Sequence, residues 1–252
     1  VTTPPPPPRP GGYGWDDSAA AYAADVAERE RLGRTRADGD PLGILPRLLA
    51  ALGDLTGRTA LDAGCGEGYL ARALAARGAT VTGIDLSPRL IGLARAQDPR
   101  GAVDYRVADL SRPRPEDADR FDRIGSYLVL NDVADYQGFV TTLAQVLAPG
   151  GRLALAFNNP YAVLIRQQVA DYFDSGAVRT YGSMAKAGIR AEFYHHTLEE
   201  YLTAFLRAGL RLTAFADLPT VVHGAGPGTL LPDGYRFPCF TLLAFTKPAI
   251  PA

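Results

Sequence analysis

The sequence has little lysine, sulfur or tryptophan. Only Lys186 and Lys247 among its 26 basic residues are lysines, which bears on codon composition and not on chemistry. Its two cysteines, Cys65 and Cys239, lie far apart and show no CxxC spacing. That argues against a disulfide framework and a zinc knuckle; no metal site is expected, and a reducing cytoplasm is the expected compartment. Charge of one sign is also missing: 26 Lys+Arg face 27 Asp+Glu, a formal net charge of −1. A binder of nucleic acid or of an anionic membrane needs surplus cations, so neither is an expected partner. No apolar run reaches the roughly 18 residues of a membrane helix. The opening VTTPPPPPRP lacks the apolar stretch of a secretory signal, so none is expected there.

What is present is length and apolar mass. At 252 residues, 47% of them hydrophobic, the chain is large enough to bury an α/β core. Residues 1–12 hold six prolines and two glycines and read as a disordered or polyproline-like tail. Residues 13–252 read as a single domain without a repeat of 20–50 residues.

From Trp15 the pattern turns helical. Asp16, Asp17 and Ser18 offer capping groups, and no Gly or Pro interrupts 19–31. Leu45, Leu48, Leu49 and Leu52 form one stripe of a second helix that Gly53 ends. Strands then alternate with helices. Strands are expected at 59–64, 79–85, 103–109, 121–128 and 152–158. Helices are expected at 66–77, after Ser87-Pro88, and at 137–148. A helix is also read at 161–173. Thr197-x-x-Glu200 is a capping box that opens another. Two closing strands, 211–217 and 237–247, joined without a helix, should pair antiparallel. The expected fold class is α/β: a Rossmann-like doubly wound seven-stranded sheet. It is mostly parallel, with one antiparallel strand near the C-terminus and helices on both faces.

The most informative stretch is Leu61-Asp62-Ala63-Gly64-Cys65-Gly66-Glu67-Gly68-Tyr69. A strand ends in an acid, and a glycine-rich turn leads into a helix. Tyr69 stands where a dinucleotide fingerprint has its third glycine, which counts against NAD or FAD. Asp62 would repel a pyrophosphate but suits an ammonium. Asp85, at the end of the next strand, can accept from both hydroxyls of a ribose. Asp109, at the end of the third, can accept from an adenine amino group. An ammonium, a ribose and an adenine with no phosphate describe S-adenosylmethionine.

The block LDAGCGEGYLARALAARGATVTGIDLSPRLIGLA resembles the first motif region of the class I S-adenosylmethionine-dependent methyltransferases. The likeness continues through ADL at 108–110, FDRIGSYLVLNDVAD at 121–135 and LAPGGRLALAF at 147–157. The C-terminal YHHTLEEYLTAFLRAGLRL resembles bacterial small-molecule methyltransferases, especially those of secondary metabolism. The resemblance implies that residues 41–158 form the cofactor core and that 13–40 and 159–196 form lid and acceptor segments. It implies cofactor contacts from Tyr22, Asp62, Gly64, Cys65, Gly66, Asp85, Leu86, Asp109, Leu110 and Ser126. Among these, Ser126 is placed beside the methionine part and Tyr22 over the cofactor.

On the acceptor side, His195 is a candidate base or positioning group. Asn131 stands where many relatives have histidine, and could orient an acceptor but not take its proton. Tyr13, Trp15, Tyr161, Tyr194 and His223 are candidates to line an aromatic acceptor pocket. Asn158-Asn159-Pro160-Tyr161 follows the fifth strand and reads as a turn into a helix, not as an amino-methyltransferase motif. The implied activity is methyl transfer to oxygen, nitrogen or carbon of a small molecule, by a monomer or homodimer. The alternatives on the same fold are a pericyclase or isomerase that keeps the cofactor without transferring methyl, and a non-catalytic cofactor-binding module.

Overall fold

The computed structural model describes residues 14–31, 43–165, 169, 171–178, 188–189, 191–221 and 236–249. The proline tail, Tyr13 and His223 lie outside the described residues. The elements are α1 (Trp15–Arg31), α2 (Ile44–Leu52), β1 (Thr59–Ala63), α3 (Tyr69–Ala75), β2 (Thr80–Asp85), α4 (Pro88–Ala96), β3 (Val103–Val107), β4 (Phe121–Tyr127), α5 (Tyr136–Val146), β5 (Leu147–Asn158) and α6 (Pro160–Ile165). They continue with β6 (Gly176–Val178), β7 (Phe193–His195), α7 (Leu198–Arg207), β8 (Arg211–Val221) and β9 (Arg236–Thr246).

Seven strands form one sheet in the order β3-β2-β1-β4-β5-β9-β8. Strands β1 to β5 pair in parallel, and β9 runs antiparallel to both β5 and β8. The order reverses at β1 and β4, so the carboxyl ends of these strands open the crevice in which α/β sheets bind ligands. A separate antiparallel ribbon, β6-β7, was not expected from the sequence.

Both faces of the sheet are covered. Leu48, Leu49 and Leu52 of α2 pack with Leu70 and Leu74 of α3 on one face. Phe139, Val140 and Leu143 of α5 pack with Tyr201 and Phe205 of α7 on the other. The alternation of buried strands and amphipathic helices therefore produces two cores flanking one sheet.

Several boundaries moved; the helix expected at 161–173 is seen over Pro160–Ile165, with residues 169 and 171–173 outside any helix. The helix expected from Gly66 begins at Tyr69, because Gly64, Gly66 and Gly68 have φ of 75°, 52° and 84°. Residues in that left-handed region form a turn and cannot form a right-handed helix. Strand β5 begins at Leu147 instead of Arg152, since Leu147 pairs with Phe121 ahead of a register shift. The Thr197–Glu200 capping box forms as the sequence indicates, with both reciprocal hydrogen bonds present.

Candidate active site

The site is built where β1, β2 and β4 end. Gly64 turns the chain after β1, and Gly64 and Cys65 both donate backbone N–H to the Ile84 carbonyl, at 2.8 and 3.0 Å. Next in the turn, the Gly66 N–H reaches Asp85 Oδ2 at 2.9 Å, while Ser87 N–H reaches Asp85 Oδ1 at the same distance. Asp85 thus joins the glycine-rich turn to the start of α4. Each carboxylate oxygen keeps a further lone pair for a ligand hydroxyl.

Asp62 is 1% exposed, and neither carboxyl oxygen has a hydrogen-bond partner. Burial raises its carboxyl to a pKa of about 8; Glu67 and Asp85 add to the rise, against the Ala71 N–H and Arg72. The Asp85 carboxyl is raised too, first by burial, with the Ser87 and Gly66 N–H groups opposing and Glu67 adding. A desolvated carboxyl without a partner, as at Asp62, is costly and calls for a positively charged or hydrogen-donating ligand.

The other expected cofactor residues divide. Leu86 is exposed at the end of β2, and Val107 is exposed at the end of β3. Together they offer apolar surface for a flat ring, with Leu110 buried in the adjoining core. Asp109 uses Oδ1 to accept from the N–H and hydroxyl of Ser111, at 2.8 and 2.6 Å. Its other oxygen faces Arg112 at 3.6 Å. Cys65 is buried against Gly83 and Tyr105, and burial pushes its thiol strongly up, so it is a packing group and no nucleophile. Ser126 is turned inward: its hydroxyl donates to the Ala63 carbonyl at 2.9 Å, and it is 1% exposed. The hydroxyl couples β4 to β1.

On the acceptor side, most of the expected residues are engaged by the protein itself. Asn131 is buried with Oδ1 accepting from Asn158 N–H at 2.8 Å and Nδ2 donating to the Tyr201 hydroxyl at 3.4 Å. Its amide ties the turn after β4 to the end of β5. His195 is also buried, with Nε2 on the Tyr172 carbonyl at 2.8 Å. It builds a wall and presents no face to solvent. Tyr194 gives its hydroxyl to Glu192 at 3.1 Å. Tyr161 lies flat on Tyr172, with ring centroids 4.7 Å apart. Asn159 holds Tyr161 N–H, Thr241 and Asp217, which is the role of a turn residue opening α6.

Helix α1 lies across the site. Trp15 meets Tyr22 and Phe193 edge-on at 5.6 and 6.4 Å. Tyr22 and Trp15 pack on Ile189, Ala191 and Phe193, so α1 and the segment before α7 share one apolar patch. The sequence reading missed Asp132, in the short 3-10 turn Leu130–Asp132 after β4. Its Oδ1 is buried without a hydrogen-bond partner. The one available signal was an acid in the NDVAD stretch following a strand end.

The residues present fit a cofactor with a cationic amino-acid end and a ribose. Asp62 supplies unpartnered buried carboxyl oxygens, Asp85 supplies spare acceptor positions, and the turn at Gly64–Gly68 carries no side chain at its three glycines.

Comparison with known proteins agrees with this geometry. Residues 61–155 match the family model described as a methyltransferase domain. The chain is 40% identical over 111 residues to demethylmenaquinone methyltransferase of Tropheryma whipplei, covering 43% of this chain and 46% of the relative. It is 37% identical over 123 residues to ubiquinone biosynthesis O-methyltransferase of Xanthomonas oryzae pv. oryzae, covering 47% and 52%. The match thus spans about half the length of these relatives. Among solved structures, an S-adenosylmethionine-dependent methyltransferase from Mesorhizobium loti superposes with a TM-score of 0.62 at 25% identity, covering 82% of this chain and 98% of that one. A strand-end acid, a glycine turn and a second strand-end acid thus lie, on this sheet order, within the region that matches a methyltransferase domain.

Proposed function

We propose that this protein transfers a methyl group from S-adenosylmethionine to a hydroxyl of a small aromatic or quinone-like acceptor. The observation that carries the reading is the buried, unpartnered carboxyl of Asp62 beside Asp85 at the strand ends. Asp62, Asp85 and Asp132 are all desolvated carboxyls with raised pKa values. Such acids ionise readily only beside a ligand that brings positive charge, which a pyrophosphate does not.

In this reading Asp62 and the Gly64–Gly66 backbone hold the amino-acid end. Asp85 accepts from the ribose hydroxyls. Leu86 and Val107 flank the adenine ring, and Asp109 stands at its edge. The cofactor, when bound, supplies a methyl group activated by a positive sulfur. The protein's part is to hold the acceptor in line and keep water out. Helix α1, with Trp15 and Tyr22, and the Tyr161–Tyr172 stack are the surfaces we assign to the acceptor. The relatives named for quinone biosynthesis support a hydroxylated ring as the acceptor class. A secondary metabolite with such a ring fits the same surfaces.

Calorimetry tests the reading. S-adenosylmethionine and S-adenosylhomocysteine should both bind, and NAD should not. Asp85→Ala should weaken both by about 10–100-fold, since hydrogen bonds to a charged group contribute roughly 1.5–3 kcal/mol. Heat from NAD with none from either sulfur ligand would overturn it. Labelled cofactor with a panel of hydroxylated quinones and phenols should give labelled product and one S-adenosylhomocysteine per turnover. Product formed without that release would mean an isomerase on this fold.

A further inference from the structure

We propose that Asp132 is the acceptor-side base of this site, its carboxylate taking the proton of an acceptor hydroxyl as the oxygen is methylated. The proposal rests on the methyl-transfer reading above and supplies a proton acceptor, which the amide of Asn131 is not.

Several independent features aim this carboxylate. Leu128, just past β4, has φ of 60° although it is not glycine. That sparsely populated conformation reverses the chain, and the Leu128 N–H is fixed on the Ala156 carbonyl at 2.8 Å. Val129 is then pressed onto the glycine-rich turn: a Cβ on Gly64 would lie 2.5 Å from Val129 Cγ1. The 3-10 turn that follows is therefore seated against Gly64, beside the place we assign to the cofactor. Asp132 N–H donates to the Val129 carbonyl at 2.7 Å, which fixes the backbone beneath the carboxylate.

Among the described residues, no cation acts on Asp132. From α1, the Trp15 indole N–H lies near enough to act on the carboxyl but is not aligned as a hydrogen bond. From β2, Asp85 contributes like charge. On β7, which packs on this turn, the Tyr194 hydroxyl is engaged with Glu192 and His195 Nε2 with the Tyr172 carbonyl. The end of β5 presents Asn158, whose N–H is taken by Asn131. An acid with one buried, unused oxygen, in the turn seated against Gly64 and beside the covering helix, is placed for use by a ligand. Burial first, and Asp85 second, raise its carboxyl well above the usual range, against the Trp15 N–H. A carboxylate of raised pKa is a better base near neutral pH.

The step balances without any further reagent. A lone pair of the acceptor oxygen forms the new C–O bond. The C–S bond breaks, and its electron pair stays on sulfur, which becomes a neutral thioether. The electrons of the O–H bond remain on oxygen, and the proton passes to Asp132. The neutral acid returns its proton to water when the product leaves.

Trp15 is the chain's single tryptophan, so its fluorescence reports this corner of the site without an acceptor in hand. In the full-length protein, emission titrated from pH 4 to 9 should show a transition with its midpoint above the usual aspartate range. Asp132→Asn, nearly isosteric and free of the buried charge, should abolish it while circular dichroism stays unchanged. S-adenosylmethionine should move the wild-type midpoint down by at least one pH unit. S-adenosylhomocysteine, without the positive sulfur, should move it far less. A transition that survives in Asp132→Asn, or equal shifts with the two ligands, would overturn the proposal. Binding of neither ligand, measured by calorimetry on the same sample, would overturn the methyl-transfer reading and this proposal with it. For any hydroxyl acceptor that the wild type turns over, Asp132→Asn should lower kcat by roughly 10²–10⁴-fold and remove the acid limb of the pH profile. Unchanged turnover and pH dependence would count decisively against it.

Discussion

Asp16 of α1 accepts a hydrogen bond from the Ser87 hydroxyl at 2.7 Å, across 71 residues of chain. The same oxygen accepts the Arg89 N–H at 3.0 Å, and Ser87 in turn accepts the Leu90 N–H at 3.1 Å. The N-terminus of α4 is therefore capped twice, once locally and once by the helix that covers the site. Because Ser87 N–H also holds Asp85, the covering helix and the proposed ribose acid share one turn.

Asp16→Ala should loosen α1 without unfolding the sheet. The stability cost should be about 0.5–1 kcal/mol, at the lower end for a cap because the carboxylate is partly exposed. The larger effect should be on ligand exchange, with a faster off-rate for S-adenosylmethionine in stopped-flow measurements. An unchanged off-rate would mean that α1 does not cover the cofactor.

Gly64→Ala should damage both stability and binding. The residue has φ of 75°, and an added Cβ would meet both Val129 methyls, at 2.5 and 2.6 Å. Strain and overpacking together should cost about 2 kcal/mol or more in denaturant unfolding. Adding Val129→Ala should recover the steric part but not the backbone part. Full recovery in the double variant would show that position 64 tolerates the left-handed conformation.

The ligand-free protein should lose stability as pH rises from about 4 to about 8. The Asp62 carboxyl has a pKa of about 8 when folded, against an ordinary value of 3.8. Between these values the folded chain holds a proton that the unfolded chain has released. The stabilisation is complete below about pH 4 and is lost as pH climbs through about 8. Asp85 and Asp132, also raised, act in the same direction. Asp62→Asn should flatten this slope and raise stability at pH 8 by roughly 1–3 kcal/mol. It should also weaken S-adenosylmethionine, since the acid is kept for the ligand's ammonium. Thermal unfolding at several pH values, with calorimetry beside it, would reveal an equal slope in both proteins if Asp62 is not the source.

Local pattern carried much of this protein. The leucine stripe of α2, the capping box of α7 and the strand-helix alternation are each encoded within a few turns of chain, where spacing alone dictates which side is buried. So were the acids at the ends of β1 and β2, because a strand's end is marked by the turn that follows it. Side-chain fates that depend on distant partners were not legible. Asn131 is consumed by Asn158 and Tyr201, 27 and 70 residues away, and Ser126 by the Ala63 carbonyl, 63 residues away. His195 is sealed by a carbonyl 23 residues earlier, beyond any local repeat.

Sequence alone determined that strand-end acids surround a glycine turn, since composition and period are properties of neighbouring residues. Only the tertiary structure decided which polar groups the protein spends on itself and which it leaves for a ligand. Hydrogen bonds close in space irrespective of chain separation, and folding engaged Asn131, Ser126 and His195 Nε2 while leaving the Asp62 oxygens, Asp132 Oδ1 and His195 Nδ1, among others, buried and unpartnered.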